Sequence, residues 1–279
     1  FKNIKMFNQL EVISNEQSKK LKNLREYIKK LESVCIAYSG GVDSTLVASI
    51  AFEQLRDKTI AITGVSPALA SSLLEEAKNQ AKWIGIKHLE IETSELNQSS
   101  YSENPKDRCY ACKKELHKHT TYISKKLNYN KVLDGVNSDD LKDFRPGIQA
   151  SNKAGVISPL AKFKFSKKDI RDISKALGLP WWDKPAQPCL SSRFPYGYEI
   201  TNKRLKMVEK AEEYIKKQGI SEVRVRCQGL SARIEIPKEE FAIFFKKFDL
   251  TKLVSYFSEI GFKCTSLDLE GLISGKLNR

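Results

Sequence analysis

The 279-residue chain reads as an α/β protein, a doubly wound parallel sheet followed by a small α+β domain. Three observations predict this. Short apolar runs alternate with helix-period segments through residues 16–180. The first apolar run passes directly into a glycine-rich loop and then a helix. After about residue 200 the pattern restarts with alternating, strand-like runs. The expected domains are residues 1–198 and 199–279.

Taken in order, Leu21, Leu24, Ile28 and Leu31 recur at three- and four-residue intervals, which predicts an amphipathic helix over 16–32. "VCIAYS" (34–39) is a short buried strand, and "STLVASIAFEQL" (44–55) the helix beyond the glycine loop. "KTIAITG" (58–64) and "KHLEIET" (87–93) are strands on either side of a helix over 68–85 that Gly85 stops. A helix from near Pro105 to about Leu127 carries Cys109 and Cys112, and "KVLDG" (131–135) is the fourth strand. A helix over 166–180 ends at Gly178 and Pro180. The proline-rich "WWDKPAQPCLSSRFPYG" (181–197) is a surface loop of the kind that carries function. Beyond it come a helix over 202–218, strands at 222–227 and 231–237, a helix over 238–248 and a strand at 263–269.

Hydrophobic content of 41% and charged content of 29% are those of an ordinary globular protein. No apolar run approaches the ~18–20 residues that span a bilayer, and no segment reads as a signal peptide. The expectation is a cytoplasmic protein with no membrane partner. Forty-eight basic against thirty-four acidic residues give +14. Such a charge suits nucleic acid or small polyanions such as nucleotides. Much of it, however, lies on lysine-rich helices such as 16–33, where a solvated face accounts for it.

The glycine loop is "SGGVDST" (39–45). Two glycines alone specify no more than a turn. Between a strand and a helix, they bring main-chain N–H groups and the positive helix end to an anion. Ser39, Ser44 and Thr45 add hydroxyls, and Gly40 and Gly41 allow close approach. No lysine follows the glycines, so the G-x-x-x-x-G-K-[ST] pattern is absent, as is G-x-G-x-x-G. The loop resembles the pyrophosphate loop of the N-type ATP pyrophosphatases, which cleave ATP between the α and β phosphates. That resemblance implies that Ser39, Gly40, Gly41, Val42, Asp43, Ser44 and Thr45 hold the leaving pyrophosphate, with Asp43 near Mg2+.

Of six cysteines, Cys35, Cys227 and Cys264 lie in or beside strand-like runs and read as structural thiols. Cys109 and Cys112 form C-x-x-C at the start of a helix, a placement that favours thiolate, and Cys189 sits in "QPCLSSR". A redox pair would leave Cys189 unexplained. A zinc site could draw on Cys109, Cys112, His117 and His119. Three converging cysteines could instead hold a 4Fe–4S cluster with one iron open to an exogenous ligand.

"SGGVDST", "NPKDRCYACKKEL" (104–116), "DGVNSDDLKDFRPG" (134–147), "QPCLSSRFPYG" (187–197) and "VRVRCQGLSARIEI" (223–236) together resemble the LarE family. These are ATP-dependent sulfur transferases that build the nickel-pincer cofactor of lactate racemase. The resemblance runs in order from about residue 18 to about 276. It implies an adenine nucleotide alpha hydrolase-like fold that binds ATP and Mg2+. The substrate would be pyridinium-3,5-biscarboxylate mononucleotide, adenylated on a carboxylate and converted to a thiocarboxylate. The C-x-x-C places the chain with the three-cysteine branch, which implies that Cys109, Cys112 and Cys189 ligate a 4Fe–4S cluster carrying sulfide from a donor. In members with only the cysteine matching Cys189, that residue gives up its own sulfur. Arg193 would face the adenylate or the phosphorylated substrate. Asn137, Asp140 and Arg145 would line the cleft at the end of the fourth strand. Arg224 and Arg226, two apart and so on one strand face, would bind phosphate at the interface of a homo-oligomer. Near "GLISGKLN" (271–278) the chain has Leu272 and Ile273 where the family pattern has an aromatic residue and an arginine.

A rival is a tRNA thiolase, which also pairs such a loop with three cysteines and a cluster. The sequence shows no second C-x-x-C module and no evident RNA-binding domain, so the expected substrate is the small nucleotide. A non-catalytic nucleotide- or cluster-carrying module is the remaining alternative.

Overall fold

A computed structural model describes residues 10–142, 146–273 and 275–276. In chain order the helices and strands are α1 (Asn15–Lys29), β1 (Val34–Ala37), α2 (Val42–Leu55), β2 (Thr59–Val65), α3 (Ser71–Ile84), β3 (Lys87–Glu92), α4 (Ser99–Ser102), α5 (Arg108–Lys126) and β4 (Lys131–Leu133). They continue with α6 (Pro146–Lys153), α7 (Pro159–Lys162), α8 (Lys167–Ala176), α9 (Asn202–Lys217), β5 (Arg224–Gln228), β6 (Ser231–Glu235), α10 (Phe241–Lys247), α11 (Leu250–Glu259) and β7 (Cys264–Leu267).

The chain forms two compact units. The first takes the chain up to Glu95 and again over Asp107–Gln187; the second takes Leu96–Lys106 and everything from Pro188. The division therefore falls at 187/188 rather than at the expected 198/199, and a stretch from the middle of the first expected domain joins the second unit. The physical reason lies in hydrogen bonds. Asn104 Nδ2 donates to the Pro195 carbonyl at 2.6 Å, and Ile200 N–H donates to the Ser102 carbonyl at 2.7 Å. No local sequence pattern announces such pairings.

In the first unit four parallel strands lie in the order β3-β2-β1-β4. β1 is buried along its whole length, as the central strand of a sheet covered on both faces must be. Val34 and Ile36 pack into the cluster built with Leu21, Leu24 and Ile28 of α1 and Leu46, Val47 and Ile50 of α2. Cys35 points the other way, among Ile60, Ile62 and Val132, with Leu116 and Ile123 of α5 packed against them. Helices on both faces make this the doubly wound sheet that the alternation predicted. Burial pushes the Cys35 thiol up to about 11, so it stays a neutral core side chain.

α1 begins at a capping box in which Ser14 and Gln17 satisfy each other's main-chain N–H groups. α5 begins at Arg108, three residues after the expected start. Asn104 there takes a positive φ of 56°, outside helical geometry.

In the second unit β5 and β6 pair antiparallel, and β7 adds parallel to β6. The helix expected over 238–248 is a 3-10 turn, Lys238–Glu240, followed by the two-turn α10. Phe248 is extended, and Asp249 caps a further helix, α11, by accepting from Lys252 N–H. α11 is not among the helices expected from the sequence, although Asp249 before an apolar-periodic run is the signal for it.

Candidate active site

The glycine loop joins β1 to α2 as expected. Gly41 is the N-cap of α2 and has no side chain to close the helix end, so the first-turn N–H groups face outward. Gly40 has φ +69°, and a Cβ there would lie 2.9 Å from Ala77 Cβ on α3. Both the backbone angle and the packing therefore call for glycine. Ser44 Oγ accepts from Ser39 N–H at 3.3 Å and lies 3.1 Å from Ser39 Oγ; Gly41 N–H points to Ser39 Oγ at 3.4 Å. These contacts fold residues 39–44 into a cradle of donors.

Two neighbours hold the cradle. Gln80 of α3 accepts from both the Thr45 hydroxyl (3.0 Å) and the Tyr38 hydroxyl (3.1 Å). Burial pushes the Tyr38 phenol up to about 12, which keeps it a neutral donor. On the other side Gly135, two residues past β4, lies against α2, and a Cβ there would meet Ser44 N at 2.7 Å. That close approach brings the turn after β4 onto the loop. Asn137, fully buried, donates from Nδ2 to Asp43 Oδ2 at 3.1 Å. Its Oδ1 accepts from Asp139 and Asp140 N–H at 2.9 and 3.0 Å. Asn137 thus meets Asp43, and Asp140 meets Asn137, at the carboxyl end of the sheet, where ligands bind in open α/β folds. Asp140 also lies 3.5 Å from Lys167 Nζ. Arg145, expected in the same cleft, is outside the described residues.

The sequence reading missed Lys184. It comes from the proline-rich loop, and its Nζ donates to the Gly40 carbonyl at 3.3 Å. Its only sequence signal was its position in a loop already marked as functional.

All six cysteines are thiols rather than disulfides. Cys109 and Cys112 lie in the first two turns of α5, exposed and half-buried respectively, and three residues apart on one face. Cys189 is exposed and belongs to the second unit, while the C-x-x-C belongs to the first. As soft, solvent-reachable thiols all three suit iron–sulfur ligation in donor chemistry. Among the described residues, no group of three or more His, Cys, Asp and Glu side chains is arranged to hold a metal ion. The zinc alternative finds no support in its histidines. His117 directs Nε2 to Ser151 Oγ at 2.8 Å, and burial, with Lys113 adding, pushes its pKa down to about 3. His119 Nε2 meets Glu115 Oε1 at 3.0 Å.

The arginines of the second unit are arranged around the Cys189 loop. Cys189 precedes a 3-10 turn, Leu190–Arg193. Arg193 forks onto Glu212, Nε to Oε1 at 2.7 Å and Nη2 to Oε2 at 3.0 Å. Its Nη1 donates to the carbonyls of Pro188 and Cys189 at 2.9 and 3.3 Å. Arg226 pairs with Glu235 at 2.8–2.9 Å and donates to the Ser192 carbonyl at 2.6 Å. The Tyr101 and Ser191 hydroxyls share a buried hydrogen bond of 2.6 Å. Arg193 and Arg226 are thus engaged with buried carboxylates and main-chain carbonyls. Arg224, half-buried at the start of β5, has its pKa lowered by burial and then by Arg193 and Arg226.

The family model described as NAD synthase matches residues 16–121, which span the glycine loop and the C-x-x-C. An uncharacterised Synechocystis protein is 53% identical over 260 residues, covering 93% of this chain and 97% of that protein. An uncharacterised Methanocaldococcus jannaschii protein is 35% identical over 252 residues, 90% of this chain and 95% of that one. The pyridinium-3,5-bisthiocarboxylic acid mononucleotide synthase of Lactiplantibacillus plantarum is 34% identical over 252 residues, 90% of this chain and 91% of that synthase. A likeness at that identity along nine-tenths of both chains, with a phosphate loop closing the first strand, is a family relationship: the chain belongs to the LarE family of ATP-dependent sulfur transferases.

Proposed function

We propose that this chain adenylates a carboxylate of pyridinium-3,5-biscarboxylate mononucleotide and converts it to a thiocarboxylate on the way to a nickel-pincer cofactor. The observation that carries this reading is the match along nine-tenths of the chain to a synthase named for the bisthiocarboxylic acid of that mononucleotide.

The loop N–H groups at 39–45 bind the phosphates of ATP, and Asp43, oriented by Asn137, would hold Mg2+ there. The substrate carboxylate attacks the α phosphate. The α–β bridging bond breaks, and its electron pair leaves with pyrophosphate. This turns a poor electrophile into an acyl-adenylate with AMP as leaving group. Cys109, Cys112 and Cys189 would hold a 4Fe–4S cluster, which when bound would supply the sulfide that adds to the acyl carbon as AMP departs. Arg193 holds the main chain on both sides of the Cys189 peptide and so orients that side chain. Arg226 fastens the same loop at Ser192, which leaves Arg224 to take the phosphate of the substrate.

The test is anaerobic reconstitution with iron and sulfide, then ATP and the biscarboxylate mononucleotide, reading thiocarboxylate, AMP and pyrophosphate. Several thiocarboxylates per chain, lost in each of Cys109→Ala, Cys112→Ala and Cys189→Ala, is the expected result. Undiminished turnover in Cys109→Ala or Cys112→Ala would sink the cluster. Conversion of Cys189 to dehydroalanine, with loss of the elements of hydrogen sulfide, would mean that its own sulfur is transferred instead.

A further inference from the structure

The nucleotide site holds a cation that its motif lacks. Residues 39–45 include no basic side chain, so the loop offers an anion only N–H groups, hydroxyls and the partial charge of a helix end. Lys184 supplies a full charge at the same place. Its side chain is only 10% exposed, with Nζ 3.3 Å from the Gly40 carbonyl and 2.7 Å from Glu76 Oε2. Its main chain is fastened on both sides: Lys184 N–H donates to the Trp181 carbonyl at 3.1 Å, and its own carbonyl accepts from Arg171 Nη2 at 3.2 Å. Trp181 packs edge-on against Trp83 of α3, ring centroids 5.1 Å apart. The stem is therefore aimed at the loop, while the tip is held by one carbonyl and one carboxylate.

Glu76 is a replaceable partner. It is 41% exposed, and an ion pair with so wet a carboxylate is worth little. It stands on α3 beside Ala77, the residue packed against Gly40, and one turn before Gln80, which holds Thr45. One face of α3 thus touches the loop at two points and, through Glu76, parks the lysine at its edge.

We propose that Lys184 is a catalytic residue that contacts the β and γ phosphates of ATP, exchanging Glu76 for the nucleotide. This deepens the reading above, resting on its cleavage of ATP between the α and β phosphates. A triphosphate carries more negative charge than a single carboxylate, and a compact ammonium on a flexible tip moves to it readily. As the α–β bond breaks, the electron pair stays on the departing pyrophosphate oxygen. A fixed ammonium is more useful to that growing charge than to the ground state. The proton remains on Lys184 throughout.

The experiment is calorimetric binding of α,β-methylene-ATP and of AMP, each with Mg2+, to the full chain. Lys184→Met, which keeps the stem and removes the charge, should weaken the triphosphate analogue about 10- to 100-fold and AMP less than about twofold, since AMP has no β phosphate. Glu76→Gln, which frees the lysine, should tighten the analogue and leave AMP alone. Equal weakening of both ligands in Lys184→Met would make the lysine a packing element of the loop. No change in either ligand would also overturn the proposal. If Lys184→Met does not fold, equal affinities of Glu76→Gln and the parent for the analogue overturn it independently. None of these readings involves the carboxylate substrate or sulfur. A wrong substrate assignment would therefore leave them standing, and their failure would leave the substrate assignment untouched.

Discussion

The glycine loop leaves the first turn of α2 without a side-chain cap, whereas the loop around Cys189 has its main-chain carbonyls tied up by guanidinium groups. In the first, Gly41 caps α2 without a side chain and Gly40 lies flat against Ala77. In the second, Arg193 and Arg226 point inward to Glu212, Glu235 and three carbonyls. In the function proposed above, a loop without basic residues takes the anion, and the two arginines beside Cys189 serve first as the scaffold of its loop. Counting cations in a motif says little about where an anion goes. What decides it is whether each cation is already matched by a buried acid.

The largest expected effect comes from unmatching one. Glu212→Gln leaves Arg193 buried beside a neutral amide and should cost about 3–5 kcal/mol in urea unfolding, because the stranded charge loses its partner but not its desolvation. A loss under about 1 kcal/mol would mean that the pair does not hold the Cys189 loop in place. On the other loop, Gly40→Ala adds a Cβ at a left-handed angle and against Ala77. It should cost about 2 kcal/mol and weaken ATP binding by more than about tenfold. Normal ATP affinity in that variant would show that the cradle tolerates the side chain.

The next effect is pH-dependent and lies beside neither loop. His117 is neutral in the folded chain, its pKa pushed down to about 3, while an unfolded histidine binds a proton below about 6.5. The unfolded state therefore takes up more protons as pH falls, and stability is lost from about 6.5 downward. By pH 5 the loss is about 2 kcal/mol, a differential over about 1.5 pH units. His117→Asn should flatten that part of the pH–stability curve. An unchanged slope between pH 6.5 and 5 would place the acid sensitivity elsewhere.

The smallest effect on stability sharpens the contrast between neighbouring arginines. Arg224→Gln should leave unfolding within about 0.5 kcal/mol of the parent and raise KM for the phosphorylated substrate about tenfold with kcat kept. Arg226→Gln, two residues on, should instead destabilise the chain as Glu212→Gln does. Identical behaviour of the two variants would erase the distinction between phosphate ligand and scaffold.

The doubly wound sheet was legible because its signals are local. β1 is four apolar residues in a row, and the loop after it turns at Gly40, whose positive φ other residues rarely adopt. Helix caps are local as well, and α11, announced by Asp249, could have been read. Asn137 was expected near the nucleotide, and it is bonded to Asp43.

Glu212 was harder. It lies in a Lys/Glu-rich helix that looks solvated, yet Val208, Ala211 and Ile215 form a stripe that includes its position, and it is 3% exposed. Glu235 gave no such clue. It alternates with Ile234 and Ile236 as an outward strand residue would, and it is fully buried against Arg226.

Backbone geometry and hydrophobic period are properties of adjacent residues, so the strands, the phosphate loop and the thiols that could carry sulfur are present in the order of the amino acids. The partner of a charged side chain is a property of the folded chain. Lys184 reaches Gly40 across 144 residues, and Arg193 reaches Glu212 across 19. Only tertiary packing decides such pairings, because a long side chain's charge is matched through space, at a few ångströms, by whatever group the fold brings there.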